Sequence, residues 1–227
     1  ANYYSDDYDA QNCGENCYQN LITNGSFEEG HGLGNKGWNV YASIPGWTAI
    51  TEISDAPIEI QNGNIGGLAA ADGTAKLELD SHAKNGFTES NAVVAQTVEV
   101  EAEQEYVLTF NYAPRNSRTS NESNKFGLNI NGNLVQEFSN SGSGWNQASF
   151  NLIATFNGNG YVDEDSGWVD TTATGSNGYP QGTFQLVFFA LGNEDGTGAF
   201  LDNVSLIDSR FYDESYDPEN CGDICYI

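Results

Sequence analysis

The sequence predicts an all-β protein, a two-sheet antiparallel β-sandwich of the jelly-roll type with cysteine-containing extensions at its two ends. Three observations predict this fold. Methionine is absent, lysine and arginine together number 7, and 26 glycines are spread along the chain, a composition typical of strands and turns. About ten short apolar segments alternate with polar turns, as in a sandwich. The length of 227 residues fits one large all-β domain.

The predicted strands come from residues that alternate between apolar and polar character. In the clearest case Tyr106, Leu108, Phe110 and Tyr112 share one face of a strand. The dipeptide at 131–132, Asn-Gly, lies between two such runs and predicts a type I′ hairpin. The later segments are more continuously apolar, as in central strands. The segments are 76–80, 94–100, 106–112, 126–130, 134–135, 150–156, 184–191 and 200–207.

One long segment interrupts this pattern. Residues 157–181 are polar and rich in glycine, and they include an acidic and aromatic group. Loops of this length are either functional or disordered, and the sequence favours neither interpretation. The group consists of Asp163, Glu164, Asp165, Trp168 and Asp170.

The formal net charge is −25, from 32 acidic and 7 basic residues. Nucleic acid is an unfavourable partner, because a binding protein must neutralise phosphates with a basic face. An anionic membrane surface is disfavoured for the same reason. Two compatible explanations remain for the acidity: carboxylates that coordinate hard cations, or solvation of a protein in salty water.

Export from the cell is the expected location. The chain has no apolar run near the ~20 residues that a membrane span needs. It begins at Ala1 without a charged and apolar leader, so we expect any signal peptide to have been removed. Four cysteines in two close pairs suit an oxidising compartment. The sequence therefore predicts a secreted or cell-surface protein.

The two ends of the chain carry the same motif. Eight residues between positions 4 and 18 recur 208 positions later, among them Cys13 and Cys17 as Cys221 and Cys225. This repeat predicts three parts: a linker motif at 1–19, a β-sandwich at 20–207, and a second copy of the motif at 208–227. Either the chain is one unit of a tandem array, or the two ends meet between neighbouring chains.

The paired cysteines leave several pairings open. Cys13 and Cys17, like Cys221 and Cys225, lie four positions apart. They can form a local disulfide within each motif, pair between motifs, or bind a metal together. The spacing of zinc knuckles is absent, which favours disulfides. Docking between neighbouring chains would give head-to-tail self-association into an open fibre.

Several segments resemble a known family of β-sandwiches. The segment 20–28 (N-L-I-T-N-G-S-F-E) followed by Pro-Gly-Trp at 45–47 resembles the opening of carbohydrate-binding modules, and 200–206 (F-L-D-N-V-S-L) resembles their closing strand. Asp-Gly at 72–73, L-E-L-D-S at 77–81 and Y-V-L-T-F-N-Y-A-P-R at 106–115 are similar to galactose-binding-like domains of plant cell-wall proteins and large marine bacterial adhesins. The resemblance covers 20–207 and implies a galactose-binding-like jelly roll.

The resemblance also implies a structural calcium ion that joins the start of the domain to its last strand. The implied ligands are Glu28, Asp72 and Asp202, with backbone carbonyls near Gly25 and Ala75. The chemistry is reasonable, because calcium takes about six to eight oxygen ligands and tolerates irregular loops. The alternative is that Glu28 and Asp202 are ordinary turn and edge residues.

A glycan or polysaccharide is the second implied ligand. Sugar binding needs aromatic platforms and fixed planar polar groups. Arg115 with Asp80 and Glu59 as acceptors, and Trp47 or Tyr112 as stacking rings, form the predicted set. Arg115 and Asp80 would alternatively form a buried pair that only braces the sheet. After Arg115 the sequence is N-S-R-T, where the related domains often continue with Pro and Gly.

The sequence predicts no enzyme. His31 and His82 lie in polar segments outside any nucleophile motif, and no phosphate-binding or dinucleotide-binding motif is present. Two functions of different class remain. One is a calcium-stabilised carbohydrate-binding or adhesion module. The other is a structural repeat unit of an extracellular filament or adhesin stalk, joined through its cysteine-containing ends.

Overall fold

The computed structural model describes residues 20–33, 36–83, 86–101, 104–115, 122–139, 142–153, 162–163, 168–170 and 182–209. These residues form two β-sheets, which confirms the predicted all-β sandwich. The strands, in chain order, are β1 Trp38–Tyr41, β2 Ser43–Ile44, β3 Trp47–Ala49, β4 Ile58–Asn62, β5 Ala75–Glu78, β6 Val93–Glu99, β7 Glu105–Ala113, β8 Lys125–Ile130, β9 Asn133–Ser139, β10 Asn146–Ile153, β11 Val162–Asp163, β12 Trp168–Asp170, β13 Thr183–Ala190 and β14 Phe200–Asp208.

The strand order of the two sheets matches a jelly roll rather than a simple meander. The first sheet has eight strands in the order β1-β4-β5-β14-β7-β10-β12-β11, and the second has six in the order β2-β3-β6-β13-β8-β9. Neighbours pair antiparallel except for β10 with β12, which pair parallel. The last strand, β14, lies between β5 and β7. Segments distant in sequence therefore meet at the centre of the first sheet.

The hairpin predicted at residues 131–132 joins β8 to β9. Asn131 has φ 49° and Gly132 has φ 79°, the left-handed pair that a type I′ turn requires. The segment predicted as one long loop, 157–181, contains the short strands β11 and β12, which corrects that prediction. The rest of that segment and both cysteine motifs lie outside the described residues.

The core lies between the two sheets. Among the described residues Phe110 makes more of the core's aromatic contacts than any other, with ring centroids 5.0 Å from Phe188, 5.6 Å from Phe138 and 6.2 Å from Phe150. Aromatic pairs at these distances add to the stabilisation that comes from burial. Inward-facing residues of β4, β5 and β14, such as Ile60, are fully buried in the same cluster. Because successive side chains of a strand point to opposite faces, the alternate residues of these strands lie on the outer face of the first sheet.

The segment before β1 is fastened to the last strand. The amide of Leu21 donates to the Leu206 carbonyl at 2.9 Å, and the amide of Val204 donates to the Gly25 carbonyl at 3.0 Å. The register of β14 against β7 shifts between Asp202 and Ser205. Such a bulge re-aims the side chains around it. The start of the domain and the carboxylate of Asp202 are thereby brought to one edge of the sandwich. No helix in the described ranges is long and apolar enough to span a membrane.

Candidate functional site

The outer face of the eight-stranded sheet carries a layer of buried polar side chains. Glu59 of β4 lies opposite Glu78 of β5, and Glu78 lies opposite Phe200 of β14. Gln61 lies opposite Trp38 of β1. Glu59, Gln61 and Glu78 are all fully buried. Charged side chains are rarely buried to this degree unless they are paired, so the contacts of this layer determine what the face can do.

Glu78 is the centre of a hydrogen-bond network on this face. The Arg115 guanidinium Nη1 donates to Glu78 Oε1 at 2.5 Å and to Oε2 at 2.6 Å. The amide of Gly198 donates to Glu78 Oε1 at 2.9 Å. The Gln61 side-chain amide donates to Glu78 Oε2 and to Glu59 Oε1. Gln61 therefore links the two carboxylates, and Arg115 supplies a positive charge to one of them.

Glu59 holds an imidazole at the edge of the network. Its Oε2 lies 2.7 Å from the backbone amide of His82 and 2.9 Å from the ring Nδ1 of His82. The His82 ring lies against the Trp38 indole, with ring centroids 4.6 Å apart and an interplanar angle of 33°. Because Nδ1 faces a carboxylate, which can only accept a hydrogen bond when ionised, Nδ1 carries a ring proton in this contact.

Two loops cover the network. In the 3-10 turn Ile65–Gly67, Gly66 has φ 73°, and a Cβ there would lie 2.4 Å from Cζ of Phe200 and 3.3 Å from Nε of Arg115. Only glycine fits this close approach. From the other side, the Gly196 carbonyl accepts from Arg115 Nη1 at 3.3 Å. Half-buried Trp145 donates from Nε1 to the Ala69 carbonyl at 2.9 Å, which holds its indole beside the segment that follows the 3-10 turn.

The two carboxylates differ in acidity. Burial raises the pKa of Glu59, but hydrogen bonds from His82 and Gln61 outweigh burial and bring the pKa below its usual value. Burial raises the pKa of Glu78 well above its usual value, and the Glu59 charge raises it further, against the opposing charge of Arg115. Two carboxylates with unequal proton affinities therefore share one buried site.

Glu59, Glu78 and His82 also form a group of metal-binding size, because one potential ligand atom from each lies within 4.8 Å of the others. Their contacts argue against a metal here. Both oxygens of Glu78 already accept from the Arg115 guanidinium, and Nδ1 of His82 faces Glu59. A cation would have to displace a guanidinium from the same carboxylate. The group is better described as a rigid hydrogen-bonding surface.

The residues that the family resemblance implied for calcium surround one turn at residues 71–75. Glu28 accepts at Oε1 from the amides of Thr74 and Ala75, each at 2.6 Å. Asp202 accepts at Oδ2 from the amides of Ala71 and Asp72, at 2.7 and 3.1 Å. The structure thus brings Glu28, Asp72 and Asp202 to the same turn. The carboxylates of Glu28 and Asp202 accept from its backbone amides, whereas Asp72 Oδ2 accepts from the Ser26 hydroxyl.

Asp202 is fully buried in this place. Burial and, to a smaller extent, the nearby Asp72 charge raise its pKa to about 7, against hydrogen bonds from backbone amides that lower it. The ion pairs among the described residues include none to Glu28, Asp72 or Asp202. The charge of Asp202 does interact with that of the buried Lys76. Carboxylates are the ligands that a hard divalent cation prefers, so the chemistry of these residues is compatible with calcium, although the group of metal-binding size found among the described residues is Glu59, Glu78 and His82.

The structure brings only some of the predicted glycan-binding residues together. Arg115 and Glu59 belong to the network described above, although Arg115 contacts Glu78 rather than Asp80 or Glu59. Asp80 instead accepts from the amides of Asp195 and Thr197. The predicted pairing of Arg115 with Asp80 is thus corrected, because Glu78 lies between them on the same face of the sheet.

Neither predicted stacking ring is available to a ligand. Trp47 is 1% exposed and packs against Phe27 and Phe188. Tyr112 points into the core against Phe126 and Phe138. Both residues occupy inward positions of their strands, which corrects the prediction that they stack on a sugar.

Sequence reasoning missed five residues of this face: Trp38, Gln61, Glu78, His82 and Trp145. One local signal existed for part of the set, because residues 58–62 (I-E-I-Q-N) alternate as a half-buried strand does. The opposition of Glu59 and Glu78 depends on a pairing register between separate strands. No local pattern gives that register.

No protein-family model matches the chain, and no curated protein matches its sequence. Among solved structures, a similar fold occurs in TmCBM61 in complex with β-1,4-galactotriose, with 16% identity over 84% of this chain and 99% of that chain and a TM-score of 0.47. The K1 cleaved adhesin domain of Lys-gingipain from Porphyromonas gingivalis W83 is 14% identical over 80% of this chain and 94% of that chain, with a TM-score of 0.46. The Stig cyclase Fisc from Fischerella sp. TAU is 14% identical over 84% of this chain and 97% of that chain, with a TM-score of 0.48. A carbohydrate-binding module, an adhesin domain and an enzyme are thus among the similar folds. The two-sheet arrangement fits a galactose-binding-like jelly roll, and the function has to be argued from this chain's residues.

Proposed function

We propose that this chain is a non-catalytic, extracellular, calcium-stabilised module that binds a neutral glycan on the outer face of its eight-stranded sheet. The observation that carries the proposal is the network of Arg115, Glu78, Gln61 and Glu59, which lies between two half-buried indoles. Trp38 stacks on His82 at one side, and Trp145 lies over Phe200 at the other, with ring centroids 6.5 Å apart. Glu59 and Phe200 lie on strands separated only by β5, so the network between the indoles extends across three adjacent strands.

The chemistry of this patch suits a sugar. Sugar rings present an apolar face to an aromatic ring and hydroxyls that both donate and accept hydrogen bonds. The patch offers the partly exposed side chains of Arg115 and His82 as polar groups, and the buried carboxylates of Glu78 and Glu59 hold these two side chains in place. Its polar groups are held in place by the contacts given above. A net charge of −25 repels sulfated or uronic-acid polymers, so the proposed ligand is neutral.

The same contacts favour binding over catalysis. Glu78 is fully buried with both oxygens occupied by Arg115, so it is not placed to exchange a proton with a substrate. Glycosidases need two carboxyl groups that flank the bond they cleave. In the proposed patch the two carboxylates hold Arg115 and His82 in place instead.

A binding experiment tests the glycan site. The full chain would be applied to an array of neutral and acidic oligosaccharides, and the affinity for any bound neutral glycan would be measured by calorimetry. Trp38→Ala and Trp145→Ala should each weaken binding about tenfold, which is about 1.4 kcal/mol. Leu134→Ala is the matched control, because Leu134 is 53% exposed on the other sheet. Absence of glycan binding, or tryptophan variants with wild-type affinity, would remove the proposed site.

The calcium site of the proposal uses Glu28, Asp72 and Asp202, with carbonyl oxygens near Gly25 and Ala75. A bound divalent cation would supply positive charge to three carboxylates that form no ion pair among the described residues. It would join the segment before β1, the turn at 71–75 and the last strand. At a calcium concentration one hundred times the dissociation constant, binding adds about 2.7 kcal/mol to the free energy of unfolding.

Chelation tests the calcium site. For a domain of this size, 2.7 kcal/mol corresponds to a melting temperature about 5–10 °C higher in calcium than in excess chelator. Glu28→Gln should abolish most of this difference, whereas Glu137→Gln, on strand β9 of the other sheet, should preserve it. An identical melting temperature with and without chelator would refute the site.

A second function rests on the repeated ends of the chain. The recurrence of one cysteine-containing motif 208 positions later favours a repeat unit of an extracellular filament or adhesin stalk, joined through Cys13, Cys17, Cys221 and Cys225. In this case electrophoresis without reductant should show a ladder of disulfide-linked multimers, and a thiol reductant should convert them to a single monomer band. A single monomer band, together with unassociated particles in electron micrographs, would leave only the binding module.

A further inference from the structure

The carboxylate of Asp80 lies buried beyond the end of β5, away from the turn at 71–75. Asp80 is fully buried and pairs with Asn91 in an isolated antiparallel bridge. Its Oδ2 accepts from the amides of Asp195 and Thr197, at 3.2 and 3.1 Å. A Cβ on Gly198 would lie 2.5 Å from Cβ of Asp80, so the loop at 192–198 closes tightly over this side chain.

The other oxygen of Asp80 has no hydrogen-bond partner, and two neighbouring side chains share this property. The unpartnered atoms are Asp80 Oδ1, Ser90 Oγ and Asn91 Oδ1, all shielded from solvent. Ser90 is only 7% exposed, and its hydroxyl lies beside the Asp80 carboxylate, near enough to act on its pKa but without the geometry of a full hydrogen bond. Asn91 points to the same loop as Asp80, because its Nδ2 donates to the Gly192 carbonyl at 2.9 Å.

The charges at this position are also unbalanced. Burial raises the pKa of Asp80, and the charge of Asp195 raises it further. Asp195 is held in place by the Ser123 hydroxyl, which donates to its Oδ2 at 2.7 Å. No lysine or arginine of the described ranges forms an ion pair with Asp80 or Asp195. Two neighbouring carboxylates therefore lack a positive partner.

A proton and a bound cation would differ in how many charges they neutralise and in how many unpartnered oxygens they satisfy. A buried polar atom without a partner costs about 1–3 kcal/mol. One proton on Asp80 neutralises one charge and can be shared with a single neighbouring oxygen. One cation neutralises both carboxylates and can accept all three unpartnered oxygens as ligands. Every donor in the set is oxygen, which selects hard cations such as calcium over zinc or copper.

We propose that Asp80, Ser90 and Asn91, together with Asp195 of the facing loop, bind a second divalent cation of the calcium type. The loop that supplies Asp195 also supplies the two contacts that Gly198 and Gly196 make to the network of Glu78 and Arg115. Cation binding at Asp80 would therefore hold the cover of the outer face in place. The site shares no residue with the one at Glu28, Asp72 and Asp202.

Calcium counting tests this proposal. The full chain, loaded with calcium and freed of weakly bound ions, would be measured by native mass spectrometry and by metal analysis of the bulk protein. Asp80→Asn keeps the size of the side chain and should bind one ion fewer than the wild type. Asp208→Asn is the matched control, because Asp208 ends the neighbouring strand β14, and should keep the wild-type number. Glu28→Gln reports separately on the first site.

A wild-type number of ions in Asp80→Asn would overturn the proposal and assign a shared proton to Asp80. Near-ultraviolet circular dichroism verifies that the variant is folded. If Asp80→Asn does not fold, Ser90→Ala takes its place, because it removes only the unpartnered hydroxyl. Ser90→Ala should weaken the binding of one ion at least threefold by calcium titration, and an unchanged titration would equally refute the site.

Discussion

The two faces of the eight-stranded sheet both carry buried side chains but are built from opposite chemistry. On the inner face Ile60 and Leu77 pack against the second sheet. On the outer face Glu59, Gln61 and Glu78 are just as buried, beneath loops. Apolar packing stabilises a fold efficiently, whereas a buried ion pair is often no more stabilising than apolar residues of the same volume. We therefore infer that stability accounts for the inner face and binding accounts for the outer face.

Phe110→Ala should give the largest loss of stability, because it empties the centre of the inner face. A buried phenylalanine replaced by alanine costs about 3–5 kcal/mol, and Phe110 contacts rings from both sheets. Urea unfolding followed by tryptophan fluorescence measures the loss. Leu134→Ala, at a mostly exposed side chain, should change the free energy of unfolding by about 0.5 kcal/mol or less. Similar losses in both variants would contradict the assignment of the core.

The Arg115 and Glu78 pair should behave as a coupled unit on the outer face. Either Arg115→Met or Glu78→Met leaves a buried charge without its partner and should cost about 3 kcal/mol or more. The double variant should lose less than either single variant, because it leaves no unpaired charge. The exposed Lys125 and Glu122 pair is the control, since removing a surface pair costs about 1 kcal/mol or less. Additive losses at Arg115 and Glu78 would show that the pair is not buried as described.

Asp202 makes a pH-dependent contribution that calcium should reverse. Its pKa of about 7 in the fold lies above its value of 3.8 in an exposed side chain. Without calcium, the folded protein keeps this proton between the two values while the unfolded chain has lost it. Stability is then full below about pH 4 and falls by about 1.4 kcal/mol per pH unit as the pH rises towards 7. Asp202→Asn should flatten the slope, and so should saturating calcium. If calcium leaves the pH dependence of stability unchanged, Asp202 is not a ligand of the cation site.

The sequence predicted the strands better than it predicted the site. Residues 106–112 and the turn at Asn131 carry local signals, alternation and a left-handed turn, and both are present in the fold. Trp47 was predicted as a stacking ring because sugar binding needs an aromatic platform, but its strand position faces the core. Glu78 was read only as part of an alternating strand. Its role depends on pairing with Glu59 and on covering loops, which are non-local.

The measurement that tests the account most directly is glycan affinity in the Arg115→Met and Glu78→Met double variant. This variant removes the central donor and acceptor of the outer face while the inner face stays intact. We predict a folded protein, by near-ultraviolet circular dichroism, that binds at least one hundred times more weakly than the wild type the glycan identified on the array. A folded double variant with wild-type affinity would contradict the claim that the buried polar layer serves binding.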